Sequence, residues 1–142
     1  MEYLKIKATE LLFLLQSVQM PDKSDTGSLM TMGQVEIAKQ VMEMITRDLG
    51  QHISVETLAA NFGISPSSVK NYFRGVYGKN ISIYLREARM SASAIALKDS
   101  NQPVAEIASD VGYENASKFS AAFKSFFGVS PLEYRRQSRC GI

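Results

Sequence analysis

The chain has 142 residues, of which 45% are hydrophobic and 21% charged. That is enough for one ordinary domain or two very small subdomains, and it excludes a large multidomain enzyme. Near balance of 16 basic against 14 acidic residues, with four Pro and nine Gly, excludes disordered, collagen-like and low-complexity chains. A single cysteine, Cys140, and a single histidine, His52, exclude an internal disulfide, a multi-cysteine zinc site and a paired-histidine metal site. The longest apolar run, Leu11 to Leu15, falls well short of the about 18 apolar residues of a membrane span. Glu10 precedes it and no small-residue cleavage site follows, so no signal peptide is expected. The expected setting is a reducing, cytoplasmic one with no membrane contact.

Residues 4–18 read as a helix, because Leu4, Leu11, Leu14, Leu15 and Val18 recur at helical spacings. Residues 19–33 read as a linker, with Pro21, Gly27, Gly33 and mixed charge. A helix over 34–48 follows, carrying Val35, Ala38, Val41, Met42 and Ile45 on one face and stopping at Gly50. Ser54 caps a short helix with Leu58, Ala59 and Phe62 on its apolar side, broken by Gly63. Ser65 caps the next, with Pro66 in its first turn, where a missing N–H costs nothing. That helix is expected to bury Val69, Tyr72 or Phe73, and Val76, and to stop at Gly78. A longer helix runs from Ser82 to Leu97. After the turn at Asn101-Gln102-Pro103 come a short helix over 104–111, broken by Gly112, and another from Asn115 or Ala116 to Phe127, stopped by Gly128. Ser130-Pro131 starts a last short helix through Arg136, with a frayed tail after it. No alternating strand pattern occurs, so the predicted fold is all-α.

Charge is unevenly placed. Residues 65–89 carry a net +4 and residues 115–142 a net +4, while the stretches 1–33, 34–64 and 90–114 carry −1, −2 and −3. Two basic blocks on a nearly neutral chain suit a surface that meets phosphate at two places.

The same regions form an internal repeat. At an offset of 49, Leu58 matches Ile107, Ala59 matches Ala108, Phe62 matches Val111 and Gly63 matches Gly112; after the turn the offset becomes 50, pairing Val69 with Phe119, Phe73 with Phe123, Arg74 with Lys124 and Gly78 with Gly128. Each copy is a short helix, a glycine turn and a second helix. The alanines suit a close helix crossing, and the glycines a left-handed turn. This is the helix-turn-helix pattern, twice, each copy leading into a basic block.

These residues resemble the AraC/XylS family of bacterial transcription regulators. The resemblance rests on Leu58-Ala59-x3-Gly63, Phe73-Arg74, Gly78, Tyr84-Leu85-x3-Arg89-Met90, Ile107-Ala108-x3-Gly112-Tyr113 and Phe119-x3-Phe123-Lys124-x3-Gly128-Val129-Ser130-Pro131-x2-Tyr134-Arg135. It covers about residues 34–136. It implies two helix-turn-helix subdomains of homeodomain-like form, 34–81 and 99–136, joined by a long bridging helix at 82–98, with a tail at 137–142. Both second helices, 66–77 and 116–127, are then expected to approach adjacent major-groove segments of double-stranded DNA. Residues 3–12 resemble the closing helix of a sensor domain found in longer members, so Met1 is either a native start or the cut edge of a longer parent. A small-molecule effector is expected only if such a parent carries a sensor domain. The leucine-rich helix over 1–18 is alternatively a dimer helix, or one folded onto its own body.

On the first reading helix Ser67, Lys70, Asn71 and Arg74 share one face. By resemblance Ser67, Lys70 and Asn71 fall at base-contacting positions; Asn suits adenine N6 and N7, and Lys suits guanine. The second helix offers Ala116, Ser117, Ser120 and Ala121, of which Ala116, Ser117 and Ser120 are its base-contacting candidates. Alanine meets only a thymine methyl and serine discriminates poorly, so the second unit is expected to anchor more than it reads. Phosphate candidates are Arg74, Lys79, Asn80, Lys118, Lys124, Arg135 and Arg136. Arg89 is expected either to pair with Asp110 or Glu106 or to touch DNA. Ala92, Ile95 and Ala96 lie off the inner face of the bridging helix and are free to meet another chain or an RNA polymerase subunit.

Neither catalytic residues, metal nor cofactor are expected: there is no carboxylate pair, Cys–His pair or phosphate loop. Two rivals remain, a repair enzyme's DNA module using Cys140, and a helical protein-interaction module with little DNA binding.

Overall fold

The structure, a computed structural model, describes residues 29–140. They form seven helices and no strand: α1 (Met32–Arg47), α2 (Val55–Phe62), α3 (Pro66–Tyr77), α4 (Ile81–Asp99), α5 (Val104–Asp110), α6 (Ala116–Phe127) and α7 (Pro131–Cys140). The fold is all-α. The expected helix over 4–18 lies outside the described residues. Among them, no helix is long and apolar enough to cross a membrane, and no group of three or more His, Cys, Asp or Glu is placed to hold a metal ion.

Local chemistry sets the helix starts. Ser54 Oγ accepts from Thr57 N–H at 3.1 Å, Ser65 Oγ from Ser68 N–H at 3.2 Å, and Asn115 Oδ1 from Lys118 N–H at 2.9 Å. Each satisfies a donor that has no partner inside its helix. Two reciprocal caps add to these. Thr31 Oγ1 accepts from Gln34 N–H while Gln34 Oε1 accepts from Thr31 N–H, and Ser130 and Glu133 do the same for α7. The first of these starts α1 at Met32, two residues before the expected start at Gln34. The second, with Pro131 at the first helical position, starts α7, which runs on past Arg136: the tail expected to fray is helical to Cys140.

The repeat appears in the backbone bonds themselves. After α2, Gly63 N–H donates to Ala60 C=O and Ile64 N–H to Ala59 C=O; after α5, Gly112 N–H donates to Ser109 C=O and Tyr113 N–H to Ala108 C=O. Gly63 and Gly112 have φ of +64° and +89°, where a β-carbon is strained. At Gly112 there is also no room, since a β-carbon would lie 2.7 Å from the Leu49 carbonyl oxygen and 2.9 Å from the Arg89 guanidinium carbon.

The described residues fall into two compact units, 29–42 with 54–81 and 43–53 with 82–140. The stretch 43–53, expected with the first subdomain, goes with the second because its backbone approaches the α5 end: a β-carbon on Gly50 would sit 3.0 Å from the Asp110 carbonyl oxygen. In the first unit α2 packs on α3, and Ala38, Val41, Leu58, Ala59, Val69 and Phe73 are buried. In the second, α5 packs on α6 and α6 on α7, around Met90, Ala94, Leu97, Ile107, Ala108, Val111, Phe119 and Phe123. The Phe123 ring meets Phe119, Phe127 and Tyr134 at centroid distances of 5.8, 4.5 and 5.4 Å, a tilted and edge-on cluster of the kind aromatic quadrupoles favour. Ala92 and Ala96 pack against this core, so the expectation that they are free for another chain is corrected. On α4, burial and the nearby Glu87 carboxylate push the Tyr84 phenol above its ordinary value.

Candidate DNA interface

On α3 the amphipathic period separates two faces. Val69 and Phe73 are fully buried, while Ser67, Lys70, Asn71 and Arg74 are all exposed. Spacings of three, four and seven place those four on one strip of the helix. Ser65 and Pro66 start the helix just before Ser67, and Gly78 ends it just after Arg74. The polar strip therefore runs the length of a short, well-capped helix whose other side is anchored in the core. Asn80 is exposed and Lys79 half-buried beyond the helix end.

On α6 the same construction carries different chemistry. Phe119 and Phe123 are buried; Ser117, Lys118, Ala121, Lys124 and Ser125 are exposed. Ala116 and Ser120 are half-buried, at the edge of the strip rather than in its middle. At the repeat offset of 50, Lys70 and Asn71 are replaced by Ser120 and Ala121. The second strip has lost the long donors that match base edges and kept its cation at Lys124.

Arg136 is exposed. Arg135 has a different surrounding. Its Nε donates to the Leu97 carbonyl at 3.0 Å and its Nη2 to the Gln102 carbonyl at 2.5 Å. One turn on, Arg139 Nη2 donates to the Ser100 carbonyl at 2.6 Å. The two guanidinium groups clasp the end of α4 and the turn into α5, where unsatisfied carbonyls and the helix dipole favour cations. Arg135 was expected on phosphate; its fork is engaged within the fold instead. Arg139 lies in the stretch expected to fray and so is not among the sequence candidates, although its spacing of four from Arg135 places both on one helix face.

The expected Arg89–Asp110 pair is not formed. Arg89 Nε is buried without a hydrogen-bond partner, and Asp110 Oδ2 accepts from Gln102 Nε2 at 2.6 Å. The guanidinium lies instead against Gly112. Cys140 is an exposed free thiol at the end of α7.

Two capped helix-turn-helix units, each presenting an exposed polar strip on its second helix, define a tandem helix-turn-helix protein of the DNA-binding class. Residues 58–137 match the family described as a helix-turn-helix domain. Transcriptional regulator Rob of Salmonella typhimurium is 33% identical over 107 residues, covering 75% of this chain and 37% of Rob. The chain thus spans a little over a third of that relative's length. Among solved structures, the C-terminal domain of AraT, a response regulator from Geobacillus stearothermophilus, is 31% identical with a TM-score of 0.67, covering 71% of this chain and 84% of that one. The DNA-binding domain of AdpA, a global transcriptional factor solved in complex with a target DNA, is 26% identical with a TM-score of 0.66, covering 72% of this chain and 95% of that one. The chain belongs to the AraC/XylS family of helix-turn-helix proteins. It carries that family's helix-turn-helix DNA-binding domain.

Proposed function

We propose that the protein reads the major groove of duplex DNA chiefly with α3 and anchors to the sugar–phosphate backbone chiefly with α6. The observation that carries this is the contrast between the two exposed strips. Ser67, Lys70, Asn71 and Arg74 are presented together on α3, whereas α6 presents Ser117, Ala121 and Lys124 at the matching places. Asn71 has the donor–acceptor pair that suits adenine N6 and N7, and Lys70 suits guanine O6 or N7. Ser117 and Ala121 make at most weak base contacts. Arg74, Lys79, Asn80, Lys118, Lys124 and Arg136 are the phosphate-contacting set, which fixes register and carries the salt dependence. RNA polymerase is the proposed protein partner of such a regulator, acting in the bacterial cytoplasm at the nucleoid. A small-molecule effector belongs to this reading only through a sensor domain in a longer parent chain.

Selection of duplexes from random sequence tests the proposal. The preferred site should have one well-defined half and one looser half. Asn71→Ala should relax preference at one position of the defined half, and Lys124→Ala should weaken all sequences alike. Equal information in both halves, or specificity lost only in α6 variants, would overturn it.

A further inference from the structure

One residue of α3 does not fit its helix. Gly75 lies in the helix interior, beside Asn71 and Arg74, and it is exposed. Glycine there is less favourable than alanine, because it loses more backbone freedom on folding. It is not among the glycines with positive φ, so no turn demands it. The repeat does not demand it either, since its counterpart on α6 is Ser125, which is exposed and carries a β-carbon. What Gly75 does is make a notch. A β-carbon built on it would overlap the Met30 sulfur and crowd the Met30 methyl carbon at 3.1 Å. Met30 is half-buried, whereas its neighbours Leu29 and Met32 are 97% and 91% exposed.

The seat is built from the other side as well. Met30 immediately precedes Thr31, whose reciprocal cap with Gln34 sets the direction in which the chain enters α1. Residues 29–31 are thus a short arm before α1 with one apolar side chain, Met30, lodged on the flank of the reading helix.

Resting on the reading of α3 given above, we infer that the Met30–Gly75 seat is an autoinhibitory contact: the arm must leave Gly75 for α3 to enter the major groove fully. The reason is space and charge. An α-helix with its side chains is about 10–12 Å across, and the major groove is about 12 Å wide. The helix fills the groove and leaves no room for a second stretch of chain along its flank. Gly75 is one helical turn from Asn71, and it adjoins Arg74, which is assigned to phosphate. The arm gains nothing by staying, because residues 29–35 hold no cation and Glu36 follows. An apolar segment beside a phosphate wall is expelled rather than retained. Residues 29–31 are thereby coupled to the reading helix: whatever holds Met30 down weakens DNA binding, and whatever draws it away strengthens it.

The test uses the full chain and a duplex obtained by random-sequence selection. Affinities of wild type, Met30→Ala, Gly75→Ala and the double variant are measured at one salt concentration. If the seat is occupied nine-tenths of the time, about one molecule in ten is competent, and unseating should tighten binding about tenfold. Each single variant should therefore tighten binding about three- to tenfold, and the double variant should add little, since both remove the same contact. Methyl-labelled methionine provides an independent readout: on saturation with duplex, the Met30 methyl resonance of the wild type should move to the position of an unpacked methionine. Failure of both single variants to tighten binding, or a Met30 resonance that keeps its seated position in the complex, would overturn the inference. Lys70→Ala and Asn71→Ala, measured alongside, separate the two levels. If neither alters affinity or preference, α3 is not the reader and the proposed function falls on its own evidence.

Discussion

Replacement of Arg135 by alanine separates a structural arginine from a phosphate-binding one. The wild-type guanidinium donates to the carbonyls of Leu97 and Gln102, at 3.0 and 2.5 Å, from a half-buried position. Leu97 belongs to the last turn of α4, where the carbonyls have no partner within the helix. A hydrogen bond to a charged group contributes roughly 1.5–3 kcal/mol net, and the partial exposure of this site places each bond at the low end. Two such bonds, less what water recovers once the side chain is gone, give a loss of about 2–3 kcal/mol. For a chain of this size each kcal/mol lowers the thermal midpoint by roughly 2–4 °C, so Arg135→Ala should melt roughly 4–12 °C below wild type. Arg135→Lys keeps the charge but not the planar fork that reaches two carbonyls, and should recover less than half of the loss. The assay is thermal and urea unfolding followed by circular dichroism, paired with the salt dependence of binding to duplex DNA at a temperature where both proteins are folded. Arg135→Ala should leave the slope of log affinity against log salt unchanged. A stability change under about 0.5 kcal/mol, together with a slope reduced by about one, would refute the clasp and return Arg135 to the phosphate set.

Other perturbations address the rest of the molecule. If about six phosphates are neutralised, log affinity for duplex DNA should fall against log salt with a slope of roughly −5, and a slope near zero would remove the basis for a phosphate-contacting surface. Ala59→Leu and Ala108→Leu should each overpack a buried site, 2% and 1% exposed in the wild type, and cost roughly 1–3 kcal/mol in urea unfolding; unchanged midpoints for both would be incompatible with close crossings there. Phe123→Ala empties the centre of the aromatic cluster and should cost roughly 3–5 kcal/mol, read in the same assay.

What could be read from the residues alone was what depends on neighbours within about four positions. Ser54, Ser65 and Asn115 cap their helices because a short oxygen-bearing side chain reaches the N–H three residues on, and that geometry needs nothing distant. The turns at Gly63 and Gly112 follow from the same local logic, and their repetition made the tandem architecture legible. The polar strip of α3 was legible too, since a period of 3.6 places Ser67, Lys70, Asn71 and Arg74 together wherever the opposite side is apolar. The tertiary structure decided everything that required two distant stretches to meet. Arg135 and Lys124 are both cations in basic, aromatic-rich sequence, yet one lies against carbonyls 38 and 33 residues earlier in the chain and the other is exposed. Ala92 and Ala96 belong to the core because of the helices they face, which no spacing on α4 reveals. Charge offers Arg89 either Asp110 or Glu106 as a partner, or DNA, but attraction counts only where the fold brings the atoms within reach, and the Asp110 carboxylate accepts from Gln102 instead. Gly75 shows the limit most plainly: in sequence it is an unfavourable residue within a helix, and only the tertiary structure shows the Met30 side chain lying across it.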